Sequence, residues 1–274
     1  MENQTAHHVN LYLQPNFETD TTDYVQHWQM NRLNQIPLLF YQFTLMKNTV
    51  DTLPAVPDGC LDIIFCCNEA TPTVHVFGTV LTCTFVPFTP GETYFGVRIP
   101  PGYGIKSKNF NIKDLISTHM PLSDLSNDIN PRIDCMLSHK NFYERIRIFE
   151  TTIGTLITPT TKDHQLTNYL LDTIITHNGN ITLKQVTNSV GYSDKYIRNK
   201  FTNSIGISPK NFSKIIRFQK SLYMLRRGME IDDIVYKNGY FDQSHLINDF
   251  RNFGYFSPRE FITYIHQMKE MQNW

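Results

Sequence analysis

Three polar residues near the carboxyl end of the chain are of the types that a hydrolytic relay uses. Asp242, Ser244 and His245 stand within the stretch GYFDQSHLINDF, residues 239–250. In such a relay the nucleophile, the base and the group that orients the base must converge. Successive residues of a helix point about 100° apart, so three residues within four positions of one helix diverge. We therefore expect no catalytic residue here. Because the sequence shows no other convergent set of acid, base and nucleophile, we expect no enzymatic activity.

The elements around this stretch occur twice in the chain. GYSDKYIRNKF, residues 191–201, repeats the Gly-aromatic pair, the Asp and the Phe, and each Phe stands eight positions before the Pro of a Ser-Pro pair. Each copy follows a short amphipathic segment, ITLKQVTNSV or EIDDIVYKN. A helix, a turn that contains glycine and a second helix make up the helix-turn-helix plan. The repeat therefore predicts two helix-turn-helix units.

Capping residues mark the helix boundaries in this half of the chain. Ser208-Pro209 combines an N-cap with Pro at the first helical position, and Ser257 forms a capping box with Glu260. Gly228, after two arginines, predicts a helix end. Together with the repeat, these signals predict about seven helices between residues 163 and 274.

The amino-terminal half has a different pattern. Its first 110 residues contain short runs of β-branched and aromatic residues between Pro and Gly turn signals, which predict an antiparallel sandwich or barrel. These runs are LLFYQFTLM (38–46), LDIIFCC (61–67), TVHVFGTV (73–80) and TYFGVRI (93–99). A helix over residues 141–157 follows, because Phe142, Ile146, Phe149, Ile153 and Leu156 recur every three or four positions. The polar segment TPTTKD, residues 158–163, predicts a linker that separates a domain at 1–158 from a domain at 159–274.

Charge separates the two halves in the same way. Residues 162–274 contain 15 Lys and Arg against 10 Asp and Glu, whereas the remainder contains 10 against 15. Residues 195–227 contain nine basic side chains and no acidic one. A run of one sign favours an anionic partner, although it is also compatible with an ordinary solvated surface. Nucleic acid is one such partner, and charge alone does not decide between it and a solvated surface.

The repeat, followed in one copy by ISPKNF and in the other by FSPREF, resembles the DNA-binding domain of the AraC/XylS family of bacterial transcription regulators. The resemblance covers roughly residues 163–270. Its DQSH motif, with the hydrophobic residue and the Phe that follow, is among the most specific signatures of that family. It implies a transcription regulator that binds double-stranded DNA, in the first instance an activator that contacts RNA polymerase. The chain departs from the family pattern at Thr187 and Val235, where a small residue is usual, and at Tyr255, where Gly is usual. We expect altered packing at these points.

The two second helices of these units, the recognition helices, should each have a buried face and a polar face. Ile197 and Phe201 on the first, and Leu246 and Phe250 on the second, are four residues apart and should face the core. The polar faces then present the candidate DNA contacts, which are Lys195, Tyr196, Arg198, Asn199, Lys200 and Thr202, and Gln243, Ser244, His245, Asn248 and Arg251. Gln and Asn can pair bidentately with adenine, and Arg can pair with guanine or hold a phosphate. Asp242 is the expected N-cap of the second recognition helix.

The β-rich half is similar to the cupin-like amino-terminal sensor domain of some AraC/XylS regulators, through PDGCLDIIF, VFGTV and FGVRIPPGYG. The complete fold is then α+β, with a cupin-like antiparallel β-barrel or sandwich and flanking helices before an all-α domain. The resemblance implies that the first domain binds an unknown small-molecule effector, forms a homodimer, or does both. Arg98 is the candidate ligand contact, or else the partner of a structural carboxylate such as Asp62.

Metal and cofactor sites are not expected. His75 alternates with valines on a strand, His119 is solitary, and His7 and His8 stand at the amino terminus. The five cysteines have no CxxC spacing and are expected to be buried thiols. No segment has the composition of a signal peptide or a membrane span, so we expect a soluble cytoplasmic protein without a membrane partner. Two alternatives remain open, namely a β-domain enzyme fused to a DNA-binding module and a β-domain that only dimerises.

Overall fold

The computed structural model describes residues 12–47, 51–68, 70–107, 111–125, 130–162 and 164–272. The chain has a mixed α+β fold, in which antiparallel strands dominate the first half and helices the second. This agrees with the fold class expected from the sequence. No helix in the described ranges is both long enough and apolar enough to cross a bilayer.

The strands form three antiparallel sheets. They are β1 (Thr21–Met30), β2 (Pro37–Leu45), β3 (Thr52–Ala55), β4 (Leu61–Cys66), β5 (Thr73–Phe77), β6 (Thr84–Pro87), β7 (Thr93–Ile99), β8 (Tyr103–Ile105), β9 (His119–Pro121) and β10 (Ile157–Pro159). Six of them form one sheet in the order β1-β2-β7-β4-β5-β9, while β3 pairs with β6 and β8 with β10. The four predicted strands correspond to β2, β4, β5 and β7. The fully buried rings of Phe40, Phe65, Phe95 and Phe149 lie in the core of this half.

The helices of the first half are short. They are α1 (Pro15–Thr19), α2 (Leu122–Leu125), α3 (Asn130–Ser138) and α4 (Phe142–Thr151), with 3₁₀ turns at Ile112–Leu115 and Ile153–Leu156. The helix predicted over residues 141–157 therefore ends six residues early. Thr152 has φ −113° and ψ −86°, outside the helical region. β-Branched residues at 151–153 and Gly154 favour this break, because they have low helix propensity.

The second half contains the seven expected helices within the described residues. They are α5 (His164–Thr176), α6 (Leu183–Val190), α7 (Asp194–Ile205), α8 (Pro209–Arg226), α9 (Ile231–Lys237), α10 (Gln243–Gly254) and α11 (Pro258–Gln272). We call residues 182–206, with α6 and α7, the first unit, and residues 230–255, with α9 and α10, the second unit. Helix α8 joins them. The Ser208 hydroxyl accepts from the Asn211 N–H with Pro209 at the first position, which confirms the predicted start of α8.

The β-rich half packs directly on α8. Gln219, in the middle of α8, is fully buried. Its side-chain amide donates to the carbonyls of Pro57 at 2.8 Å and Leu13 at 3.2 Å, and its side-chain oxygen accepts from the Leu13 N–H at 2.8 Å. The segment predicted to be a linker begins as strand β10, which pairs with β8. The two halves are thus joined by buried hydrogen bonds as well as by the chain.

Candidate nucleic-acid interface

The first unit is held together by caps and an apolar core. The Thr182 hydroxyl and the Gln185 side chain form a capping box at the start of α6, and Gly191 ends that helix with φ +70°. The Ser193 hydroxyl accepts from the Tyr196 N–H at the start of α7. Ile197 and Phe201 are completely buried. The predicted inward face of the first recognition helix is therefore correct.

The opposite face of α7 presents the predicted polar residues. Lys195, Tyr196, Arg198 and Asn199 are exposed, while Lys200 and Thr202 are half-buried. The Tyr196 ring stacks on Tyr192 at 4.8 Å, and the Lys200 ammonium lies 5.4 Å from its centroid. These contacts order the amino-terminal part of the exposed face.

The carboxyl end of α7 is attached to the β-rich half. The Lys113 ammonium donates to the Asn203 side-chain oxygen at 2.6 Å, and the hydroxyls of Thr160 and Ser204 are 2.7 Å apart. A Cβ on Gly206 would lie 2.7 Å from Ile116 Cδ1. This close approach means that the first recognition helix is positioned partly by the β-rich half.

Thr187 occupies the place where a small residue was expected. It is buried, and its hydroxyl donates to the Asp194 carboxylate at 2.8 Å. The larger polar side chain therefore fits because it bonds across to the first residue of α7.

The second unit uses the same plan with a longer turn. Gly239 has φ +65°, and the Asp242 carboxylate accepts from the His245 N–H at 2.7 Å. Asp242 is thus the N-cap of α10, as predicted. Leu246 and Phe250 are completely buried, which also agrees with the sequence.

The exposed face of α10 carries Gln243, Ser244, Asn248 and Arg251. Two of these side chains have partners. The Gln243 amide donates to the Asp232 carboxylate at 2.6 Å, and Arg251 lies 3.4 Å from the Glu260 carboxylate. Hydrogen bonds from the Ser257 backbone N–H and hydroxyl lower the pKa of Glu260, so this carboxylate is charged. Of this set, the side chains of Ser244 and Asn248 have no hydrogen bond in the structure as described.

His245 lies behind this exposed face. It is half-buried, and its ring packs edge-on against Tyr240 at 5.2 Å. Its Nε2 is 3.2 Å from the Arg217 guanidinium, and its Nδ1 accepts from the Phe241 N–H at 3.4 Å. The structure therefore places this candidate DNA contact at the junction of α10 with α8.

Arg217 is a central residue that sequence reasoning missed. It donates to Asp249 at 2.7 Å, and its guanidinium lies 4.5 Å from the centroid of the Tyr240 ring. Burial raises the pKa of Tyr240, whose hydroxyl is 3.3 Å from the Ser221 hydroxyl. In the sequence Arg217 is one of the nine basic residues of the run 195–227, and its partner Asp249 stands 32 positions away. No local pattern therefore distinguishes it from the other eight.

The end of α10 explains why Tyr255 stands where Gly was expected. Gly254 is buried, and a Cβ there would lie 2.8 Å from the Phe256 ring. Glycine is thus required at position 254, one residue before its usual place in the family pattern. Tyr255 adopts the left-handed cap conformation, with φ +66°. The second unit ends on a conformation that an L-residue adopts at a cost.

Arg98 is enclosed in the β-rich half. Its Nε is 3.0 Å from Asp62, its guanidinium is 3.3 Å from Asp58, and it donates to the Tyr12 carbonyl at 2.9 Å. Burial raises the pKa of the Asp62 carboxyl against the opposing effect of Arg98. Of the two roles considered for Arg98, binding of a structural carboxylate is present in the structure.

Two cavities adjoin Arg98. One of about 190 Å³ lies inside the strands and is lined by Tyr41, Cys60 and Asp62. A larger one of about 370 Å³ lies where the two halves meet, and residues of both halves line it, among them Tyr24, Trp28, Tyr223, Arg226 and Arg227. Arg226 is bound there by Glu18 at 2.6 Å.

The histidines and cysteines form no recognisable metal centre in the described ranges. His119 was expected to be solitary, but its ring stacks on Phe77 at 4.9 Å and lies 5.4 Å from that of His75, because β9 pairs with β5. The pKa of His75 is lowered mainly by burial and to a smaller extent by the neighbouring His119. Cys60 is buried, but Cys66, Cys67 and Cys83 are only half-buried, contrary to expectation. His7, His8 and the Cys135 side chain lie outside what the structure describes.

The helices that carry the candidate DNA contacts are similar to those of known helix-turn-helix proteins. The profile of a family described as "Helix-turn-helix domain" matches residues 186–268, which include both recognition helices. The "Uncharacterized HTH-type transcriptional regulator YbfI" of Bacillus subtilis is 30% identical over 67 residues. That match covers 24% of this chain and 24% of YbfI, so about a quarter of the relative's length is matched.

Solved structures of ToxT from Vibrio cholerae are similar over a longer range. An apo form of a ToxT variant aligns with 85% of this chain and 99% of its own, at 13% identity and a TM-score of 0.42. ToxT bound to (E)-4-(8-methylnaphthalen-1-yl)but-3-enoic acid aligns with 88% of this chain and 95% of its own, at 11% identity and a TM-score of 0.41.

Proposed function

Since this chain carries the helix-turn-helix domain of the AraC/XylS type, we propose that it is a sequence-specific DNA-binding transcription regulator. The observation that carries the proposal is the pair of recognition helices on one chain, each with a buried apolar face and an exposed polar face. Helix α8, with 18 residues, joins them. At 1.5 Å per residue it spans about 27 Å, close to the ~34 Å turn of B-DNA. One chain can then enter two successive major grooves and bind an asymmetric site.

The exposed side chains divide the work of binding between the two helices. Arg198 on α7 is exposed and suits guanine, while Gln243 and Asn248 on α10 suit adenine. Lys195 and Lys200 add attraction to phosphates that does not depend on sequence. His245 supports α10 from behind, in contact with Arg217. The proposed base contacts are therefore Arg198, Gln243 and Asn248.

Selection of duplexes from a random library by the full-length chain tests this proposal. We expect one asymmetric motif that spans two major grooves, with affinity that falls steeply as salt rises. Arg198→Ala and Gln243→Ala should each weaken binding to the selected site by about 1–3 kcal/mol and relax the preference at one base pair. Arg259→Ala, an exposed change on α11, is the matched control. Equal losses on the selected site and on random duplex would contradict base reading by these residues.

We also propose that the β-rich half, residues 1–158, senses a small molecule at the cavity between the two halves. Because β1 and α8 both line that cavity, a ligand there contacts the sensor and the helix that joins the two units. A ligand shifts a conformational equilibrium only through different contacts with the two states, and a cavity shared by two domains supplies such a difference. Arg98 also lines it, but its charge is already engaged by two carboxylates.

A thermal-shift screen of small molecules against the full chain tests the sensor role. A ligand that raises the unfolding temperature should also change the affinity for the selected duplex, and a bulky Trp28→Arg or Tyr223→Arg variant should lose both effects. A β-domain that only forms a homodimer predicts no ligand that stabilises the chain.

Activation through contact with RNA polymerase, which we propose as the output, is tested by transcription in vitro from a promoter that carries the selected site.

A further inference from the structure

The basic run at residues 195–227 is only partly explained by the recognition helix. Three of its nine cations lie on α7. On α8 and at its C-cap, Arg217 pairs with Asp249 and Arg226 pairs with Glu18, while Lys220 and Arg227 lie over the Tyr223 ring. The two that remain are Lys210 and Lys214, which are exposed and whose side chains have no ion pair or hydrogen bond among the residues that the structure covers.

Both of these lysines face one groove. They stand four positions apart on the first half of α8, so they lie on one side of that helix. They line a groove of about 690 Å³ formed mainly by α5, the first unit and α8, and His245 of the second unit borders it. Arg198 of α7, Arg217 of α8 and His245 of α10 also line it. No acidic side chain of the described residues lines the groove.

We propose that this groove holds the phosphate backbone of the DNA segment that lies between the two major-groove sites. The inference rests on the proposed function and adds a third contact area to the two recognition helices. Its position supports the assignment, because Arg198 and His245 connect it to α7 and α10 respectively. When two recognition helices occupy successive major grooves, the backbone of the intervening segment passes between them.

The chemistry of the groove fits a phosphodiester chain. Lysine ammonium groups act as mobile point charges, and they bind phosphate without reading the base. Arg217 is less free to do so, because Asp249 already neutralises its guanidinium and its side chain is largely buried. Lys210 and Lys214 therefore make the contacts, while Arg217 and His245 form the wall. This contact should raise affinity equally for every sequence.

Fluorescence anisotropy with the full-length chain tests the inference, using the selected duplex and a scrambled duplex. Each lost phosphate contact lowers the slope of log K against log salt by about 0.9. The Lys210→Ala/Lys214→Ala variant should therefore lower the magnitude of the slope by about 1.8 on both duplexes, with its base preference unchanged. Lys220→Ala is the matched control, since it removes one charge from the same helix outside the groove. Ethylation interference should place the lost phosphates between the two major-groove sites.

The outcomes separate this inference from the function on which it rests. A wild-type chain that selects no duplex overturns both. A wild-type chain that selects a motif, together with a double variant that matches Lys220→Ala in slope, overturns only the third contact. An amphipathic anion is the other occupant that the groove can accept, because Leu170, Ile174 and Phe201 also line it. If the double variant loses binding of anilinonaphthalene sulfonate but keeps the wild-type salt slope, the groove is a site for that class of ligand instead.

Discussion

The first and second units share a plan but differ in charge and in attachment. Residues 182–206 contain four basic and one acidic side chain, whereas residues 230–255 contain two basic and five acidic ones. The first unit meets the β-rich half through Lys113, Thr160 and Ile116. The second is anchored to α8 by the buried pair of Arg217 and Asp249. The repeat thus preserves the helix-turn-helix geometry while its two copies are stabilised by different forces.

This difference indicates separate tasks for the two units. Positive charge gives the first unit affinity for any phosphate backbone. The second unit, with its acidic α9, has little general attraction to DNA, and Arg251 is already bound to Glu260. Under the proposed function, we therefore expect its contribution to come from specific contacts by side chains such as Gln243 and Asn248. Affinity is expected mainly from the first unit, and a larger share of selectivity from the second.

The largest effect should come from the anchor of the second unit. Arg217→Ala leaves the Asp249 carboxylate, with 8% of its side chain exposed, without its cation. Loss of one partner of a buried pair costs about 3–5 kcal/mol, so the free energy of unfolding should fall by that amount. Thr187→Ala removes the corresponding polar link of the first unit, but Asp194 is exposed to water, so its cost should be about 1 kcal/mol. Urea unfolding of the full chain measures both.

The double variant Arg217→Ala/Asp249→Ala isolates the charge. Because it leaves no unpaired carboxylate, it should be more stable than Arg217→Ala alone. If the single and double variants unfold at the same urea concentration, the guanidinium acts only through its packing on Tyr240. The description of the second unit as anchored by a buried charge pair would then be wrong.

A smaller effect tests how the first unit is attached to the β-rich half. Gly206 and Gly191 both have positive φ, at +88° and +70°. An L-residue in that region costs about 1–2 kcal/mol. Ala at 206 would also bring its Cβ to 2.7 Å from Ile116, whereas position 191 has nothing within 4 Å. Gly206→Ala should therefore lower the thermal unfolding temperature more than Gly191→Ala. Equal shifts would show that the end of α7 is not pressed against the β-rich half.

The two units also show which features of the fold could be predicted from the sequence. The buried faces of α7 and α10 follow from pairs four residues apart, and the caps at Ser208 and Asp242 follow from local hydrogen bonding. These features are set by residues close together in sequence. Arg217 and Asp249 are not, since 32 positions separate them and neither differs in type from a surface charge. The surroundings of His245 are likewise set by tertiary packing, which places Arg217 and Tyr240 beside it.

The strands show the same limit. β2, β4, β5 and β7 are rich in β-branched and aromatic residues and lie inside the sheet, so their composition identifies them. β1 is an edge strand whose residues are exposed or half-buried, so its sequence lacks an apolar pattern. β8, β9 and β10 have three residues each, too few for any period to be seen.

The smallest expected effect concerns the orientation of the Gln243 side chain, and it tests the separate roles of the two units most directly. The two units differ at two corresponding positions. The second residue of the leading helix is Lys184 in α6 but Asp232 in α9. The first residue of the recognition helix is Asp194 in α7 but Gln243 in α10. The carboxylate of Asp232 accepts from the Gln243 amide at 2.6 Å. One N–H and the side-chain oxygen of Gln243 then remain for the edge of an adenine, in a fixed orientation. We expect Asp232 to position the amide while its charge weakens general attraction to DNA.

Two substitutions separate orientation from charge. Asp232→Asn retains an acceptor, so it should raise affinity for random duplex by less than about 1 kcal/mol and leave the base preference intact. Asp232→Ala should raise affinity similarly but flatten the preference at the base pair that Gln243→Ala affects. Asp233→Asn, on the same exposed turn, removes the same charge and should not change the preference. Sequencing of selected duplexes measures the preference, and anisotropy measures the affinity. If Asp232→Ala instead sharpens the preference, Asp232 withdraws Gln243 from DNA, and the second unit is restrained by its own acidic helix.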